Sequence, residues 1–219
     1  MWSSEVTNMI ITGIWETLYM TLVSTLVGYV IGLPMGIILT VSDKDGIKPN
    51  AVLYKILDVI ANIVRRVPFI ILLVLLIPFT RLVVGKSYGS TATIVPLVIA
   101  AAPYIARMVE SSLKEVDAGV IEAARSMGAS NFTIITQEML VEARTSLLVG
   151  ATITLGTILG YSAMSGAVGG GGLGAIAIRY GYTRWQTDIM IVTVILLIIL
   201  FQIFQTVGMK LADEFDHRK

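Results

Sequence analysis

IMIVTVILLIILFQIFQTVGM, residues 189–209, carries no charged side chain and is dominated by Ile, Leu and Val. A helix rises about 1.5 Å per residue, so a run of this length crosses the roughly 30 Å hydrocarbon core of a bilayer. Asp188 precedes it and Lys210 follows it, which puts charge where the headgroups would begin. The flanking sequence has the same character. Of 219 residues, 55% are apolar and only 14% charged, and the mean hydropathy is +0.82. That leaves too little polar surface to cover a soluble globule. The chain reads as an all-α polytopic membrane protein, one transmembrane domain over 1–219.

The other uncharged gaps supply further spans. The cleanest, 188–209, is joined by 17–42, 87–107 and 145–166, the last opening a run that turns glycine-rich before Ile178. The remaining candidate, 57–80, is the weakest. Between Arg66 and Arg81 only Val67–Thr80 is uncharged, so this span must borrow Val59–Val64. It then places Arg65 and Arg66 near its inner end, where long side chains reach headgroups. Pro68 and Pro78 predict kinks within it, their freed carbonyls facing protein rather than lipid.

Five spans put the termini on opposite sides. With the C-terminus cytoplasmic, Lys44, Lys48, Lys55, Arg65, Arg66, Arg107, Lys114, Arg125, Arg144, Lys210, Arg218 and Lys219 lie inside, and only Arg81, Lys86, Arg179 and Arg184 outside. That asymmetry obeys the positive-inside rule, and the N-terminus is therefore external. Gly28, Gly32 and Gly36 recur every four residues in the first span, as do Gly156 and Gly160 in the fourth. Small residues at this spacing let helix backbones approach closely inside a bilayer, so these helices are expected to pack on protein.

Several functions are excluded by composition. A net charge of +1 without a basic block argues against nucleic acid as a partner. The absence of cysteine removes disulfides, iron–sulfur ligation and thiol catalysis. The single histidine, His217, reads as a solvated tail residue rather than a metal ligand, and no metal site is expected. No basic stretch precedes the first apolar run, so the N-terminus does not read as a cleavable signal. Neither paired catalytic carboxylates nor a nucleophile–base set emerges, which argues against an enzyme. Glu110, Glu115 and Asp117 are expected to be solvated. Gly169, Gly171 and Gly174 satisfy G-x-G-x-x-G, but no strand precedes them; a flexible external loop is the expectation. Gly85-Lys86-Ser87 imitates the end of a phosphate-binding loop, yet Thr80 stands where its first glycine belongs.

The polar stretch 108–144 is too charged to cross a membrane and too patterned for slack linker. Asp117 is a candidate N-cap for a helix through about Met127, with Gly128 its stop. Ser130 is a candidate cap for a second helix carrying Phe132, Ile135 and Met139 at helical spacing. Glu122-Ala123-Ala124, followed by Gly128, resembles the EAA loop of type I ABC importer permeases. The end of that motif departs from the pattern: Glu138 stands where Ile is expected and Val141 where Pro is expected, while Leu140 fits. The resemblance implies a cytoplasmic coupling helix, with Glu122, Ala123, Ala124 and Gly128 docking into a separate ATP-hydrolysing subunit. ATP and magnesium would then be used by that partner, with no cofactor in this chain.

Further stretches, Ile63–Leu72, Ile77–Arg81, Ala102–Glu110, Gly160–Met164 and Gly166–Gly174, are similar to methionine importer permeases. That likeness implies a homodimer in the bacterial cell membrane, two ATPase subunits, an extracytoplasmic substrate-binding protein, and methionine (D- or L-) as passenger. Tyr161, Ser162 and Met164 are the candidate pathway or gate residues. An ion-coupled amino-acid carrier is the rival reading, but it should carry ionisable residues deep in its spans, and the third to fifth spans have none at their centres. A membrane scaffold that recruits a soluble partner is a second rival, with less need for broken helices.

Overall fold

The structure is a computed structural model and describes residues 4–215; His217, Arg218 and Lys219 lie outside them. Among the described residues every regular element is helical. Helix α1 (Ser4–Ser42) starts well before the expected boundary at 17 and takes Glu5 and Glu16 into the helix. A charge scan stops at Glu16, but that carboxylate accepts a backbone N–H, and the helix runs past it.

The chain then departs most from expectation. Helix α2 (Ala51–Arg66) opens at Asn50, whose side chain accepts the Leu53 N–H at 3.1 Å. It ends because Pro68 clashes with a helical residue before it, holding Val67 extended at φ −74°, ψ 124°. Helices α3 (Phe69–Leu75) and α4 (Ile77–Val84) follow, with Pro78 in the first turn of α4, where its missing N–H breaks no bond. Gly85 closes α4 in the left-handed conformation, φ 80°. The expected span 57–80 is thus no continuous helix. Four helical stretches are long and apolar enough to cross a bilayer, starting at Ser4, Ser90, Arg144 and Thr187; the expected second span is not among them.

Helix α5 (Ser90–Lys114) absorbs Pro96 and Pro103 without a break and extends beyond 107 to include Arg107, Glu110 and Lys114. The broken passage runs along it: Tyr54 and Asp58 of α2 meet Glu110 and Arg107 near its C-terminal end, whereas α4 delivers the chain to its N-terminal end. Beyond α5 come α6 (Ala118–Ser126), α7 (Asn131–Thr133), a π-helical turn (Ile134–Met139), α8 (Leu140–Glu142) and α9 (Arg144–Ser165). A 3-10 turn (Gly166–Val168), α10 (Gly172–Ile176), a second π-helical turn (Ala177–Tyr182) and α11 (Thr187–Glu214) complete the described chain.

Helix α5 is the hub, touching α1, α2, α3, α4 and α9. Its contact with α1 depends on the first glycine stripe. A Cβ on Gly32 would lie 2.6 Å from the Ala102 carbonyl oxygen, and one on Gly36 would lie 2.6 Å from that of Ala106. The two backbones touch directly there. The second stripe is divided: a Cβ on Gly156 would meet the Phe201 ring of α11 at 2.5 Å, whereas nothing lies within 4 Å of one on Gly160. Three of the buried α1 hydroxyls, those of Thr17, Thr25 and Thr40, each donate to the carbonyl four residues back. From Leu97 and Ile105 the apolar core continues through Val109 and Leu113 to Ala124, Ile134 and Met139, so α6 is joined to the helix bundle by continuous packing.

Gly32→Leu forces α1 and α5 apart at a cost of about 1–3 kcal/mol or more, and is expected to lower the Tm of the detergent-purified protein. Gly160→Ala in the same thermal assay leaves the Tm unchanged or raises it, since Ala favours helix over Gly by about 1 kcal/mol. Equal Tm values for wild type and Gly32→Leu would contradict the close α1–α5 contact.

Candidate functional site

The Asp117–Gly128 segment folds as its sequence implies. The Asp117 Oδ1 accepts the Gly119 N–H at 2.7 Å, capping α6. At the other end Gly128 has φ 81°, the left-handed region that L side chains avoid. Its N–H donates to Arg125 O at 2.9 Å, and Ala129 N–H to Ala124 O at 3.1 Å. Open space surrounds Gly128, so backbone conformation rather than crowding demands glycine there. The Glu-Ala-Ala triplet is divided between two roles. Ala124 is buried in the core, while Glu122 and Ala123 are exposed. Arg125 reaches back to donate to the Ile47 carbonyl at 2.6 Å, tying α6 to the turn between α1 and α2.

The next element differs from the expected amphipathic helix. Ser130 caps it as anticipated, its Oγ accepting the Thr133 N–H at 3.1 Å. Met139 is buried and Ile135 half-buried, but Phe132 is 76% exposed. The π-helical turn over Ile134–Met139 widens the helix and resets its register, so 3.6-residue spacing no longer puts these side chains on one face. Phe132 and Met127, itself 80% exposed, are large apolar residues on either side of the Gly128 turn. Helical periodicity predicts Phe132 inward and marks Met127 only as the end of a helix; the position of both beside the Gly128 turn is the signal for their exposure.

Glu110 is not solvated. It is 5% exposed and sits in a charge cluster joining three helix ends. One carboxylate oxygen accepts from Arg107 at 2.6 Å, the other from Lys114 at 2.8 Å. Arg107 also pairs with Asp58 of α2, and Lys114 with Asp43, just past α1, at 2.6 Å. The Lys114 hydrogen bond holds the Asp43 carboxyl below the usual carboxylate range. Burying one charge alone is costly, and mutual pairing is what permits this cluster. A cleft of about 490 Å³, bordered by Asp43, Lys114, Glu122 and Arg125, lies between this cluster and α6.

At the opposite end of α1, Glu16 and Thr17 hold the glycine-rich segment. The Gly172 N–H donates to Glu16 Oε2 at 2.6 Å, and the Leu173 N–H to Thr17 Oγ1 at 2.9 Å. Gly89 N–H donates to Gly169 O, and Gly170 N–H to Ser165 O, both at 2.9 Å. The expected flexible loop is a fastened one. Its resemblance to a dinucleotide motif also fails physically: a carboxylate of the chain itself fills the place at the start of α10 where a phosphate would have to bind.

The three candidate pathway residues part company. Tyr161 stacks on Phe69 of α3, ring centroids 4.4 Å apart and planes 3° from parallel. Ser162 is buried and donates to Leu159 O of its own helix at 2.8 Å. Met164 is 53% exposed and shares an uncovered face of α9 with Ile153 and Gly160.

A bundle of apolar helices with a capped, outward-facing Glu-Ala-Ala helix at one end defines a membrane transport component. Residues 28–213 match the family described as "Binding-protein-dependent transport system inner membrane component", and the chain belongs to that family. It is 48% identical to the "Probable D-methionine transport system permease protein MetI" of Vibrio cholerae, over 99% of this chain and 96% of that one. It is 50% identical to the D-methionine transport system permease protein MetI of Escherichia coli K12, over 72% of this chain and 73% of that one. Among solved structures, an inward-facing form of the MetNI methionine ABC transporter superposes with a TM-score of 0.97 at 48% identity, covering 99% of this chain and 100% of the other. An amino acid ABC transporter solved with histidines shares the fold, with a TM-score of 0.73 at 21% identity over 98% of this chain and 96% of that one. The chain is thus a permease component of a binding-protein-dependent transport system, and its transport role follows from its family.

Glu16→Ala removes the acceptor of the Gly172 N–H, and hydrogen exchange at Gly172 and its neighbours is expected to quicken; unchanged exchange would mean that other bonds hold the segment. Asp43 is depressed in the folded protein, so its contribution is present above the ordinary carboxylate pKa and fades as pH falls through its lower folded value. Asp43→Asn should therefore lower the Tm at neutral pH, with the gap to wild type closing under strongly acidic conditions.

Proposed function

We propose that this chain is the permease subunit of an ATP-driven methionine importer. Two copies enclose the path, two separate ATPase subunits bind and hydrolyse ATP with magnesium, and an extracytoplasmic binding protein delivers D- or L-methionine. The observation that carries this reading is likeness over essentially the full length, at 48% identity, to the probable D-methionine transport system permease protein of Vibrio cholerae. In this proposal the interrupted α2–α4 passage is a fifth crossing, because it runs the length of α5. That puts the N-terminus outside and the C-terminus, with α6, in the cytoplasm.

The geometry supports a coupling role for α6. Ala123, Met127 and Phe132 are exposed about the Gly128 turn, and Glu122, also exposed, borders the cleft beside α6; together they offer apolar contacts and one carboxylate to an ATPase subunit. Ala124 packs into the core and the exposed Arg125 bonds to Ile47, so a push on α6 would pass to the core and to the α1–α2 turn. ATP favours one arrangement of the spans only if these contacts differ between states. The uncovered α9 face with Ile153, Gly160 and Met164 suits the second copy or the path, and Tyr161 borders it. Ser162, bonded within its own helix, is left a structural part. The rival ion-coupled carrier lacks support: the buried carboxylate Glu110 and its neighbour Asp58 are paired with cations of the chain.

Reconstituted with its ATPase and binding protein, the wild type should accumulate methionine in vesicles only when ATP is supplied. Glu122→Lys and Gly128→Val should depress uptake severalfold while the complex still hydrolyses ATP. Gly128→Asn is expected to be milder, because Asn tolerates the left-handed region. Uptake without ATP or ATPase would overturn the importer reading, and full uptake by Glu122→Lys and Gly128→Val would overturn the coupling role.

A further inference from the structure

Arg107 and Lys114 each pair with two carboxylates. Arg65, in the last turn of α2, has no such partner among the described residues. Its guanidinium carbon lies 5.8 Å from the ring centre of Tyr104, one helical turn from Arg107 toward the middle of α5. Arg65 is exposed in the single chain, and if the α2–α4 passage crosses the membrane as proposed, a charge there faces the bundle interior or a watery cavity. Arg65 also stands at the chain break before Pro68, the kind of interruption that lines solute sites in membrane carriers.

Beside it is a pocket of about 170 Å³, enough for roughly five waters at about 30 Å³ each. Its walls are chemically divided. Arg65 and Tyr104 form one side, and Leu72 with the stacked Phe69–Tyr161 pair forms the other. No carboxylate lines it, so nothing in the chain neutralises the cation there. A fork-shaped donor next to a small apolar wall fits a compact monoanion with an apolar side chain, a bidentate carboxylate being the natural partner of guanidinium. A thioether suits the aromatic edges.

We propose that this pocket is a substrate subsite within the permease, in which Arg65 takes the carboxylate of the passing amino acid and the Phe69–Tyr161 pair takes its side chain. This rests on the reading of the chain as an amino-acid permease. It gives Tyr161 a specific task, and it assigns to Arg65 a role that headgroup contact alone does not require. A lipid phosphate offers the same charge, but the pocket admits a small solute better than a headgroup carrying two acyl chains.

The chain has no cysteine, so Val67→Cys at the pocket wall is a clean reporter, with Ala100→Cys as a second should the first misfold. The complex with its ATPase, without binding protein, is placed in phosphatidylcholine nanodiscs and exposed to a water-soluble maleimide. Methionine is expected to slow modification, and methioninamide, which lacks the carboxylate, is not. With Arg65→Gln added, the half-protecting methionine concentration rises roughly tenfold, equivalent to about 1.4 kcal/mol, and Arg65→Lys recovers part of that loss. Methionine uptake by the wild type with no protection at either reporter overturns the subsite alone. Protection by phosphatidylglycerol but not by methionine also overturns it, in favour of a lipid contact. No methionine uptake by the wild type overturns the permease reading on which the subsite rests.

Discussion

The direct contact of α1 with α5 is the constraint on which the other helices depend. At Gly32 and Gly36 the carbonyls of Ala102 and Ala106 and the side chains of Ile105 and Val109 press against the bare α1 backbone, so a side chain at either glycine would clash. In lipid, where the apolar effect gives helices little reason to associate, close backbone approach is a principal source of adhesion. Once α1 is fixed, its two ends become fixed points as well. One presents Glu16 and Thr17 to the glycine-rich segment, and the other presents Asp43 to Lys114. A helix held in the middle thus organises both faces of the protein.

Helix α5 carries that order to the functional surface. Its C-terminal turns bring Arg107, Glu110 and Lys114 together with α2 and the end of α1, and its apolar face continues into Ala124 and Ile134. Movement of α6 would therefore be felt along the length of α5 rather than absorbed in a loose linker. The same helix lies beside the interrupted passage that holds Arg65 and Phe69. The proposed coupling surface and the proposed solute pocket share one neighbour in α5, so under that proposal contacts made at one end would be transmitted to the other.

Much of this was legible residue by residue. Hydropathy located four long helices, although charges trimmed their ends too early: Glu16 is accommodated by Gly172, 156 residues away, which no local scan can see, and Glu110 by Arg107 and Lys114 of its own helix, a spacing that the sequence does carry. Asp117, Gly128 and Ser130 announced the α6 region because caps and left-handed turns are written in single residues. Phe132 was misjudged because a π-helical turn adds a residue per turn and breaks the period. The interrupted second passage was visible as weak hydropathy with prolines, but its division at Val67 came from the backbone restriction that Pro68 imposes.

Composition and pattern alone were enough for the apolar spans, the helical class, the close α1–α5 contact at Gly32 and Gly36 and the capped helix between Asp117 and Gly128, because each depends on local chemistry or on spacing along one helix. The partners of the charges, the division of Glu122-Ala123-Ala124 into outward and inward residues, the fastening of the glycine-rich segment and the solitary cation at Arg65 emerged from folding. Those properties depend on which distant groups share a space, and pairing in a low-dielectric interior decides whether a charge is tolerated, buried or left waiting for a ligand.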